Sequence, residues 1–370
     1  MTYVIIGGGG YLGAHVIQAL QASGCQERII VFDPNPVIFQ TVTYNRENVT
    51  VIEKSFLDAQ LLEEVLEGAK VVIHLASIGH TGIVANDREA VYRFNVTGTK
   101  MLVEASKRHG VSRFIYASSV AVAFIGLPLK NVTEDDPLPN PKQYLDHYSA
   151  TKAEAETYVL AQSTPEFKTA ALRFRGIYGP EDPNVTHKVA TLIRRGLFVG
   201  MVSVHGRESE SMASSVTNCA RAFTLTDQML KKPDGLHGRS YYIMDGEVVG
   251  QYEFWTPLVL ALGKQPPSRF IPYDLLHWIV PHSANICYRL LKVPPMLTKF
   301  ELSILATDNT YSIERARKEL GYEPDASLMK DVAAYYRDIE YLPGESNINW
   351  IFVIGIILLA LMILWLYPLY

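Results

Sequence analysis

The stretch that most constrains the fold is "YVIIGGGGYLG", in which an apolar run meets a glycine-rich turn and then a helical pattern. Gly7 permits a tight turn after a strand, Gly10 lets the backbone approach a pyrophosphate, and Gly13 lets the helix pack closely on the sheet. The start of such a helix turns free N–H groups and its positive dipole end toward phosphates. The spacing predicts a dinucleotide site, which also includes Tyr11 and Leu12 at the head of the helix.

The rest of the first half alternates apolar runs with helical patterns. "RIIVFD", "NVTVIEKS", "KVVIHLAS" and "RFIYASS" are predicted strands, and "YLGAHVIQALQASG", "AQLLEEVLEGA" and residues 85–109 are predicted helices. Strands that alternate with helices indicate a parallel sheet covered on both faces. The strands lack a period of two, as expected when both of their sides are buried. We therefore predict an α/β fold with a Rossmann-type doubly wound parallel sheet.

The pattern loosens after about residue 180, where prolines and irregular loops recur. This part is predicted to form a smaller substrate lobe over the carboxyl edge of the sheet, where such folds bind ligands. The predicted division is a nucleotide-binding core at 1–180, a mixed substrate lobe at 181–340 interleaved with the core, a linker at 341–349 and a tail at 350–370.

Asp33 ends the second predicted strand, 20 residues past Gly13. A carboxylate at this position accepts hydrogen bonds from the adenosine ribose and repels a 2′-phosphate, which predicts NAD rather than NADP. The competing interpretation is a turn residue before Pro34. The predicted cofactor site also includes Leu75, Ala76 and Ser77, which end the fourth predicted strand.

"YSATK" places Tyr148 and Lys152 four residues apart, so that they share one face of a helix. A chain with 21 tyrosines contains such a pair by chance, so the spacing alone is weak evidence. The stronger evidence for a catalytic site is the position of the motif, which follows a strand of the nucleotide-binding sheet that ends in Ser118 and Ser119.

These motifs occur in order along nearly the whole chain, together with "VIHLAS", "NVTGT", "FIYASS", "LRFRGIYGP", "YYIMDGE", "LGKQPPSR" and "SIERARKELGYEP". In this the sequence resembles the extended short-chain dehydrogenase/reductases. It is most similar to the 3β-hydroxysteroid dehydrogenase/isomerase family, including its membrane-anchored relatives. The resemblance implies an enzyme that oxidises a secondary alcohol of a sterol- or steroid-like substrate with NAD, or catalyses the reverse reduction.

The resemblance also implies catalytic roles. Tyr148 would be the general acid/base, and the ammonium of Lys152 would stabilise its phenolate and bind the nicotinamide ribose. Ser119 would donate to the substrate oxygen, with Ser118 as the alternative. Asn95 would support a proton relay through water. The competing interpretations are small residues at a strand end for the two serines and a helix-start residue for Asn95.

The sequence departs from the family pattern at Lys54 and Ser55, where Gly-Asp is common. The adenine contact is therefore predicted to come from Asp58. His74 is interpreted as a strand-end residue beside the cofactor rather than a base. An isomerase step needs a further acid/base pair, and the sequence does not place one.

Residues 350–370 are 21 uncharged residues, with Trp350 at one end and Trp365, Tyr367 and Tyr370 near the other. A helix of this length reaches about 30 Å, the thickness of the hydrocarbon core of a bilayer. Aromatic side chains prefer its two interfaces. The segment predicts a single-pass tail anchor with the catalytic domain in the cytoplasm; the endoplasmic reticulum is the first expectation and the lipid droplet the second.

Two further features concern the membrane. No signal peptide precedes the first strand, so attachment is expected later in the chain. Residues 270–295 form a weaker candidate, either an amphipathic segment at the membrane interface or a helix that caps the substrate pocket. The pocket wall is expected to be apolar and to come from residues 182–215 and 250–300.

Composition excludes several classes of protein. The net charge of −4 and the absence of a basic stripe argue against a nucleic-acid binder. Cys25, Cys219 and Cys287 lie far apart with no paired spacing, which argues against a disulfide framework or a zinc site and suits a reducing compartment; no metal is expected. The expected partners are a hydrophobic small molecule and the bilayer, with a homodimer as a further option.

Two other functions compete with the sterol dehydrogenase. A nucleotide-sugar epimerase or reductase shares the Tyr/Lys pair and needs basic groups for a diphosphate, which Arg194, Arg195 and Arg207 would supply. A non-catalytic NAD-binding protein would bind the cofactor without turnover. The membrane tail argues against the first, and the complete Ser-Tyr-Lys set against the second.

Overall fold

The computed structural model describes residues 2–79, 87–277 and 297–339. The predicted linker and the predicted membrane helix at 350–370 lie outside these ranges, as does the part of the 270–295 candidate that follows residue 277. Within the described ranges, no helix combines the length and the apolar character that crossing a bilayer requires.

Seven strands form the central sheet, and every neighbouring pair is parallel. They are β1 (Thr2–Ile6), β2 (Arg28–Phe32), β3 (Val49–Ile52), β4 (Ala69–His74), β5 (Arg113–Ser119), β7 (Lys168–Phe174) and β12 (Arg239–Ile243). Their order across the sheet is β12-β7-β5-β4-β1-β2-β3. The predicted Rossmann-type fold is confirmed, and β12 shows that a strand from the second half of the chain returns to the core.

Helices cover both faces of this sheet because each face of the strands is apolar. On one face, α1 (Tyr11–Ala22) and α7 (Val216–Lys231) pack on the sheet together with α10 (Glu314–Leu320). On the other face lie α2 (Ala59–Leu66), α4 (Thr99–Arg108) and α5 (His147–Ala161).

The helix predicted at 85–109 is interrupted by a wider turn. α3 (Arg88–Tyr92) leads into a π-helical turn (Arg93–Gly98), which continues directly into α4. Single π-helical turns of this kind are often found at functional sites. This one contains Asn95, which faces the loop after β4 and contacts α5.

The remaining elements form the smaller lobe. A sheet of the order β13-β10-β15-β6 is accompanied by two short strand pairs, β8 with β11 and β9 with β14. The strands are β6 (Leu129–Val132), β8 (Ile177–Tyr178), β9 (Met201–Ser203), β10 (Glu210–Ser211), β11 (Ser214–Ser215), β13 (Val249–Gly250), β14 (Phe270–Pro272) and β15 (Asn309–Tyr311). The helices are α6 (Val185–Arg194), α8 (Thr256–Ala261), α9 (Lys299–Ala306) and α11 (Met329–Asp338).

The first turn of the core depends on two of its glycines. Gly7 has a φ of +80°, and a Cβ there would lie 2.7 Å from the backbone nitrogen of Ala76. At Gly13 a Cβ would overlap the backbone of Gly8, 2.5 Å from its carbonyl carbon. At Gly10 the nearest atom would be the Gly7 oxygen, at an ordinary 3.5 Å. Gly7 and Gly13 are therefore required by packing, whereas the open side of Gly10 can admit a ligand.

We expect Gly13→Ala to reduce the free energy of unfolding by about 1–3 kcal/mol, because the new methyl group forces α1 away from the turn. Gly10→Ala is the matched control and should change it by less than about 1 kcal/mol. Denaturant unfolding of the two cofactor-free variants measures both values. Equal stabilities would contradict the packing role of Gly13.

Candidate active site

The first turn of α1 presents backbone donors at the carboxyl edge of the sheet. Gly10 is the N-cap and no side chain caps the helix, so the first N–H groups have no intrahelical acceptor. The side chain of Tyr11 is buried, and its hydroxyl donates to the carbonyl oxygen of Pro180 at 2.7 Å. Leu12 packs against the apolar cluster that contains the Tyr11 side chain. Tyr11 and Leu12 therefore shape the turn with their side chains and leave their N–H groups available for a phosphate.

Asp33 lies directly after β2 and contacts the glycine-rich turn. One carboxylate oxygen accepts from the N–H of Gly9 at 3.1 Å, and the other accepts from the N–H of Asn35 at 2.9 Å. The bond to Asn35 is the turn role of the competing interpretation. The bond to Gly9 additionally fixes the carboxylate beside the turn, where a ribose would lie in the predicted cofactor site.

The other predicted cofactor residues fall into two groups. Asp58 is exposed and caps α2, accepting from the N–H of Leu61 at 3.2 Å, so its side chain already has a structural role. Leu75 and Ala76 donate their N–H groups to the Ile6 oxygen at 2.8 and 3.1 Å, which brings them against the glycine-rich turn. Ser77 follows them and reaches Tyr148.

Tyr148 lies in the first turn of α5, which is capped by Asp146. The Tyr148 hydroxyl is hydrogen-bonded to Ser119 and Ser77, and its ring packs against a cluster that contains Phe124 and Phe300. Burial raises the pKa of Tyr148 to about 12; the negative charge of Asp146 adds to this, and the hydrogen bonds from the two serines oppose it.

Lys152 is buried one helical turn further along α5, with 1% of its surface exposed. Its Nζ donates to the carbonyl oxygen of Ala117 at 2.5 Å and lies 4.1 Å from the centre of the Tyr116 ring. Burial lowers the pKa of Lys152 to about 7, and the charge of Glu156 opposes this shift. Both Tyr148 and Lys152 are thus shifted toward their neutral forms. Stabilisation of the Tyr148 phenolate by Lys152 stays a prediction.

The two serines at the end of β5 point in different directions. Ser119 contacts the Tyr148 hydroxyl, and its Oγ also accepts from the N–H of Ala121 at 3.2 Å. Ser118 is buried and donates to a carboxylate oxygen of Glu156 at 2.5 Å. Alternate residues of a strand face opposite sides, so only one serine can meet the phenol. The structure brings Ser119, not Ser118, to Tyr148.

Asn95 is buried in the π-helical turn and its amide is fully engaged. Its Nδ2 donates to the oxygen of Ile78 at 3.0 Å and to Oγ1 of Thr151 at 3.1 Å, and its Oδ1 accepts from the N–H of Ile78 at 2.8 Å. Thr151 in turn donates to the carbonyl oxygen of Tyr148 at 2.9 Å. Asn95 therefore fixes the loop that carries Ser77 relative to α5. Its water relay stays a prediction.

His74 is the last residue of β4, as interpreted from the sequence. It is buried, and its Nε2 is 2.9 Å from Oγ1 of Thr99. That hydroxyl donates to the carbonyl oxygen of Asn95, so Nε2 must carry the hydrogen. Burial, reinforced by the charge of Lys152, lowers the pKa of His74 to about 3. The ring is neutral and serves packing.

A buried ion pair that the sequence did not predict lies behind these residues. Glu156, four residues after Lys152, binds Arg173 of β7 at 2.6 Å, and both side chains are almost fully buried. The available signals were a carboxylate at helical spacing from Lys152 and an arginine inside an apolar strand. Neither signal identifies the partner, because the pair joins a helix to the strand that follows it, and their contact depends on how the helix packs on the sheet.

The arginines proposed for a diphosphate are mostly engaged elsewhere. Arg207 forms a bidentate pair with the buried Asp308, at 3.0 and 2.5 Å. Arg194 donates to the Tyr336 oxygen at 2.8 Å and also to the Ile339 oxygen at the end of α11. Arg195 follows the end of α6. These contacts tie together parts of the lobe.

Known proteins share both the fold and the sequence motifs. Among solved structures, UDP-glucose 4-epimerase from Thermus thermophilus in complex with NAD has a TM-score of 0.66 at 20% identity and covers 91% of this chain and 99% of its own. UDP-glucuronic acid 4-epimerase from Bacillus cereus in complex with NAD has a TM-score of 0.67 at 20% identity, covering 92% and 100%. At these identities the likeness establishes the fold alone.

Curated relatives are closer in sequence. A 3beta-hydroxysteroid dehydrogenase/Delta(5)-Delta(4) isomerase 1 from Caenorhabditis elegans is 35% identical over 79% of this chain, which spans 62% of the nematode protein. Short-chain dehydrogenase/reductase family 42E member 1 from Mus musculus is 32% identical over 99% of this chain and 96% of its own length. Sterol-4-alpha-carboxylate 3-dehydrogenase, decarboxylating, from Mus musculus is 29% identical over 92% of each.

The family model of the 3-beta hydroxysteroid dehydrogenase/isomerase family matches residues 4–273, well over half of the chain. This match includes the glycine-rich turn, the end of β5 and the Tyr148–Lys152 helix. The chain therefore belongs to the 3-beta hydroxysteroid dehydrogenase/isomerase family, and its predicted class, an NAD-dependent oxidoreductase acting on CH–OH groups, is confirmed.

Proposed function

We propose that this protein oxidises a secondary alcohol of a sterol- or steroid-like substrate with NAD, or catalyses the reverse reduction, with Tyr148 as the acid/base. One observation carries the proposal: the Tyr148 hydroxyl meets Ser119 and Ser77, while its ring packs in an apolar cluster. Hydroxyl groups that can transfer a proton thus lie next to apolar side chains, an environment that suits a hydrophobic alcohol.

The apolar surroundings of Tyr148 come partly from α9. Phe300 and Ile304 belong to the cluster around Tyr148. Leu302 and Ala306, on another side of the same helix, pack with Val202 of β9. A sterol ring system gains about 25 cal/mol per Å² when its apolar surface leaves water, so such a wall favours it over a charged sugar nucleotide. Arg194 and Arg207 are held by other residues, which further weakens the epimerase alternative.

Different side chains have different roles in the transfer of the proton. In oxidation Tyr148 takes the hydroxyl proton of the substrate, and Ser119 donates a hydrogen bond to the substrate oxygen as its charge develops. Protonated Lys152, one turn along the helix, stabilises the phenolate form of Tyr148. Asn95 and Thr151 hold α5 and the Ser77 loop in register. The isomerase step lies outside the proposal.

The residues that would hold NAD fit its chemistry. The open side of Gly10 and the uncapped start of α1 suit a pyrophosphate, and Asp33 beside the turn suits a ribose diol. Ala76 and Ser77 extend this surface toward Tyr148. When bound, NAD supplies the nicotinamide that accepts the hydride.

The printed names of relatives agree with this substrate class. The nematode relative is named as a 3beta-hydroxysteroid dehydrogenase, and one mouse relative as a sterol-4-alpha-carboxylate 3-dehydrogenase. Both names specify oxidation at position 3 of a sterol or steroid ring. We propose the same reacting carbon here, without assigning the substituents that distinguish one sterol from another.

We further propose that residues 350–370 anchor the catalytic domain at a membrane, with the endoplasmic reticulum first. The support is the run of 21 uncharged residues flanked by aromatic side chains. Sterols partition into bilayers, so an enzyme at the membrane surface meets a higher concentration of substrate.

Tyr148→Phe is expected to lower turnover by about 10²-fold or more, because the acid/base is lost while the ring and its packing remain. The full chain is incubated with NAD and a sterol-containing lipid extract, and mass spectrometry identifies the molecule that loses two hydrogens. NAD affinity, measured by calorimetry, should hardly change. Retained activity would remove Tyr148 from its role, and oxidation of a UDP-sugar instead would overturn the substrate class.

Asp33→Ala is expected to weaken NAD binding and to relax discrimination against NADP, because the carboxylate no longer meets the ribose hydroxyls. Calorimetric titration with both cofactors provides the comparison. Asp234→Ala is the control, since that exposed carboxylate lies between α7 and β12, away from the glycine-rich turn. Unchanged affinities in Asp33→Ala would show that the ribose is recognised elsewhere.

Removal of residues 346–370 should release the chain from membranes into the soluble fraction. A length-matched chain with Leu358→Arg and Leu359→Arg should behave similarly, since each arginine at the centre of a spanning helix costs about 2.5–3.5 kcal/mol. Leu359→Ala is the control and should stay bound. Full membrane binding of the truncated chain would show that these residues are not the sole anchor.

A further inference from the structure

A buried carboxylate lies one helical turn beyond Lys152. Glu156 is 1% exposed and follows Lys152 by four residues on α5, so the two side chains share a helix face about 5–6 Å apart at Cβ. Glu156 accepts from Ser118 at 2.5 Å and forms a forked pair with Arg173, through Nη2 at 2.6 Å and Nε at 3.1 Å.

Arg173 is itself held on the far side. Its Nη1 donates to the Tyr242 hydroxyl at 3.1 Å, and its guanidinium carbon lies 5.0 Å from the centre of that ring. Burial lowers the pKa of Arg173, but the neighbouring Glu156 outweighs this and holds the pKa above its ordinary value. The pair is therefore ionised on the arginine side, and the carboxylate of Glu156 is shared between Arg173 and Ser118.

The pair borders a groove between α5 and the edge of β12. The groove has a volume of about 480 Å³, and its walls include Glu134, Asp135, Arg239 and Arg315. Arg315 forms ion pairs with both acids, and Arg239 pairs with Glu319 at 2.7 Å. These four charged side chains of the groove are thus held in ion pairs of their own. Glu156 is the buried carboxylate that lies on the same helix face as Lys152.

We propose that Glu156 is a positioning residue that keeps Lys152 protonated, and that Arg173 and Ser118 hold its carboxylate in place for this purpose. The inference rests on the proposed function, because it concerns the lysine that would stabilise the Tyr148 phenolate. Glu156 touches neither the substrate nor the cofactor in this scheme. It acts only through the charge of Lys152.

The surroundings of Lys152 leave it few other sources of negative charge. From β5 it meets the Ala117 oxygen and the Tyr116 ring, and from β4 it faces the neutral His74. On α5 itself the titratable neighbours are Tyr148 and Glu156. Burial lowers the pKa of Lys152, and Glu156 is the group that raises it. Without Glu156, the ammonium would lose its proton at a lower pH and could no longer stabilise a phenolate.

The test measures the titration of Lys152 directly. The full chain in detergent micelles is labelled with ¹³C at the ε-carbon of lysine, and the chemical shift is followed with pH by NMR; the Lys152→Arg variant assigns the signal. Glu156→Gln should move the midpoint to lower pH by about one to two units, as expected for removing a unit charge at this distance with an effective dielectric constant near 20.

A matched control lies on the same helix. Glu154 is exposed and pairs with Lys100 at 2.8 Å, so Glu154→Gln removes one carboxylate on the outer side of α5. Water screens that charge, and the Lys152 midpoint should stay in place. The pH profile of turnover should move to lower pH in Glu156→Gln, as the Lys152 midpoint does, and should stay unchanged in Glu154→Gln.

Glu156→Gln leaves Arg173 buried without a carboxylate, which can prevent folding. The double variant Glu156→Gln/Arg173→Gln removes both charges and is measured alongside it. Its midpoint should also fall below that of the natural chain, by less than in the single variant, because the more distant positive charge is lost too. A midpoint that does not fall in a folded variant overturns the proposal.

The titration requires no turnover, which separates the two hypotheses. A chain that oxidises no sterol but shows the displaced midpoint would contradict the proposed function and leave the role of Glu156 standing. An active enzyme whose Lys152 titrates alike with and without Glu156 would contradict this inference alone.

Discussion

The proposed mechanism depends on two ionisable side chains four residues apart on α5, the half-buried Tyr148 and the buried Lys152. Burial raises the pKa of Tyr148 to about 12 and lowers that of Lys152 to about 7, so each group alone favours its neutral form. A phenolate beside an ammonium is less costly in the interior than either charge alone, because each compensates the other. In the proposed mechanism, the proton affinity of the phenol therefore depends on the groups that keep the lysine charged, and Glu156 is the one proposed here.

The parallel sheet fixes the positions of the residues around Tyr148 and Lys152. β5 ends beside α5, and the alternation of its side chains sends Ser118 to Glu156 and Ser119 to Tyr148, while the carbonyl oxygen of Ala117 holds Lys152. Residues 117 and 119 lie about 7 Å apart along a strand, close to the spacing of one helical turn. One strand end thus supports both members of the pair, and the glycine-rich turn presents its donors at the same edge of the sheet.

The sequence predicted those features that depend on local spacing. The glycines, Asp33 and the Tyr148–Lys152 helix all follow from short motifs, and the parallel sheet follows from the alternation of apolar runs with helical ones. It favoured Ser119 and kept Ser118 as the alternative, because the direction in which each serine points depends on where the strand ends. The burial of Tyr148 was not predictable, since it depends on packing by residues such as Phe300, which is 152 positions away in the chain. The Glu156–Arg173 pair joins two consecutive elements, but no local pattern specifies which of their side chains meet.

The most direct test of the Tyr148–Lys152 coupling is an ultraviolet titration of the phenolate in the full chain, with and without NAD, using Tyr148→Phe to identify the signal. If Tyr148 and Lys152 together transfer the proton, Tyr148 should ionise with NAD at a pH well below its pKa of about 12 in the cofactor-free protein. If Tyr148 titrates identically with and without NAD, the coupling does not operate, and the proposed acid/base role is contradicted.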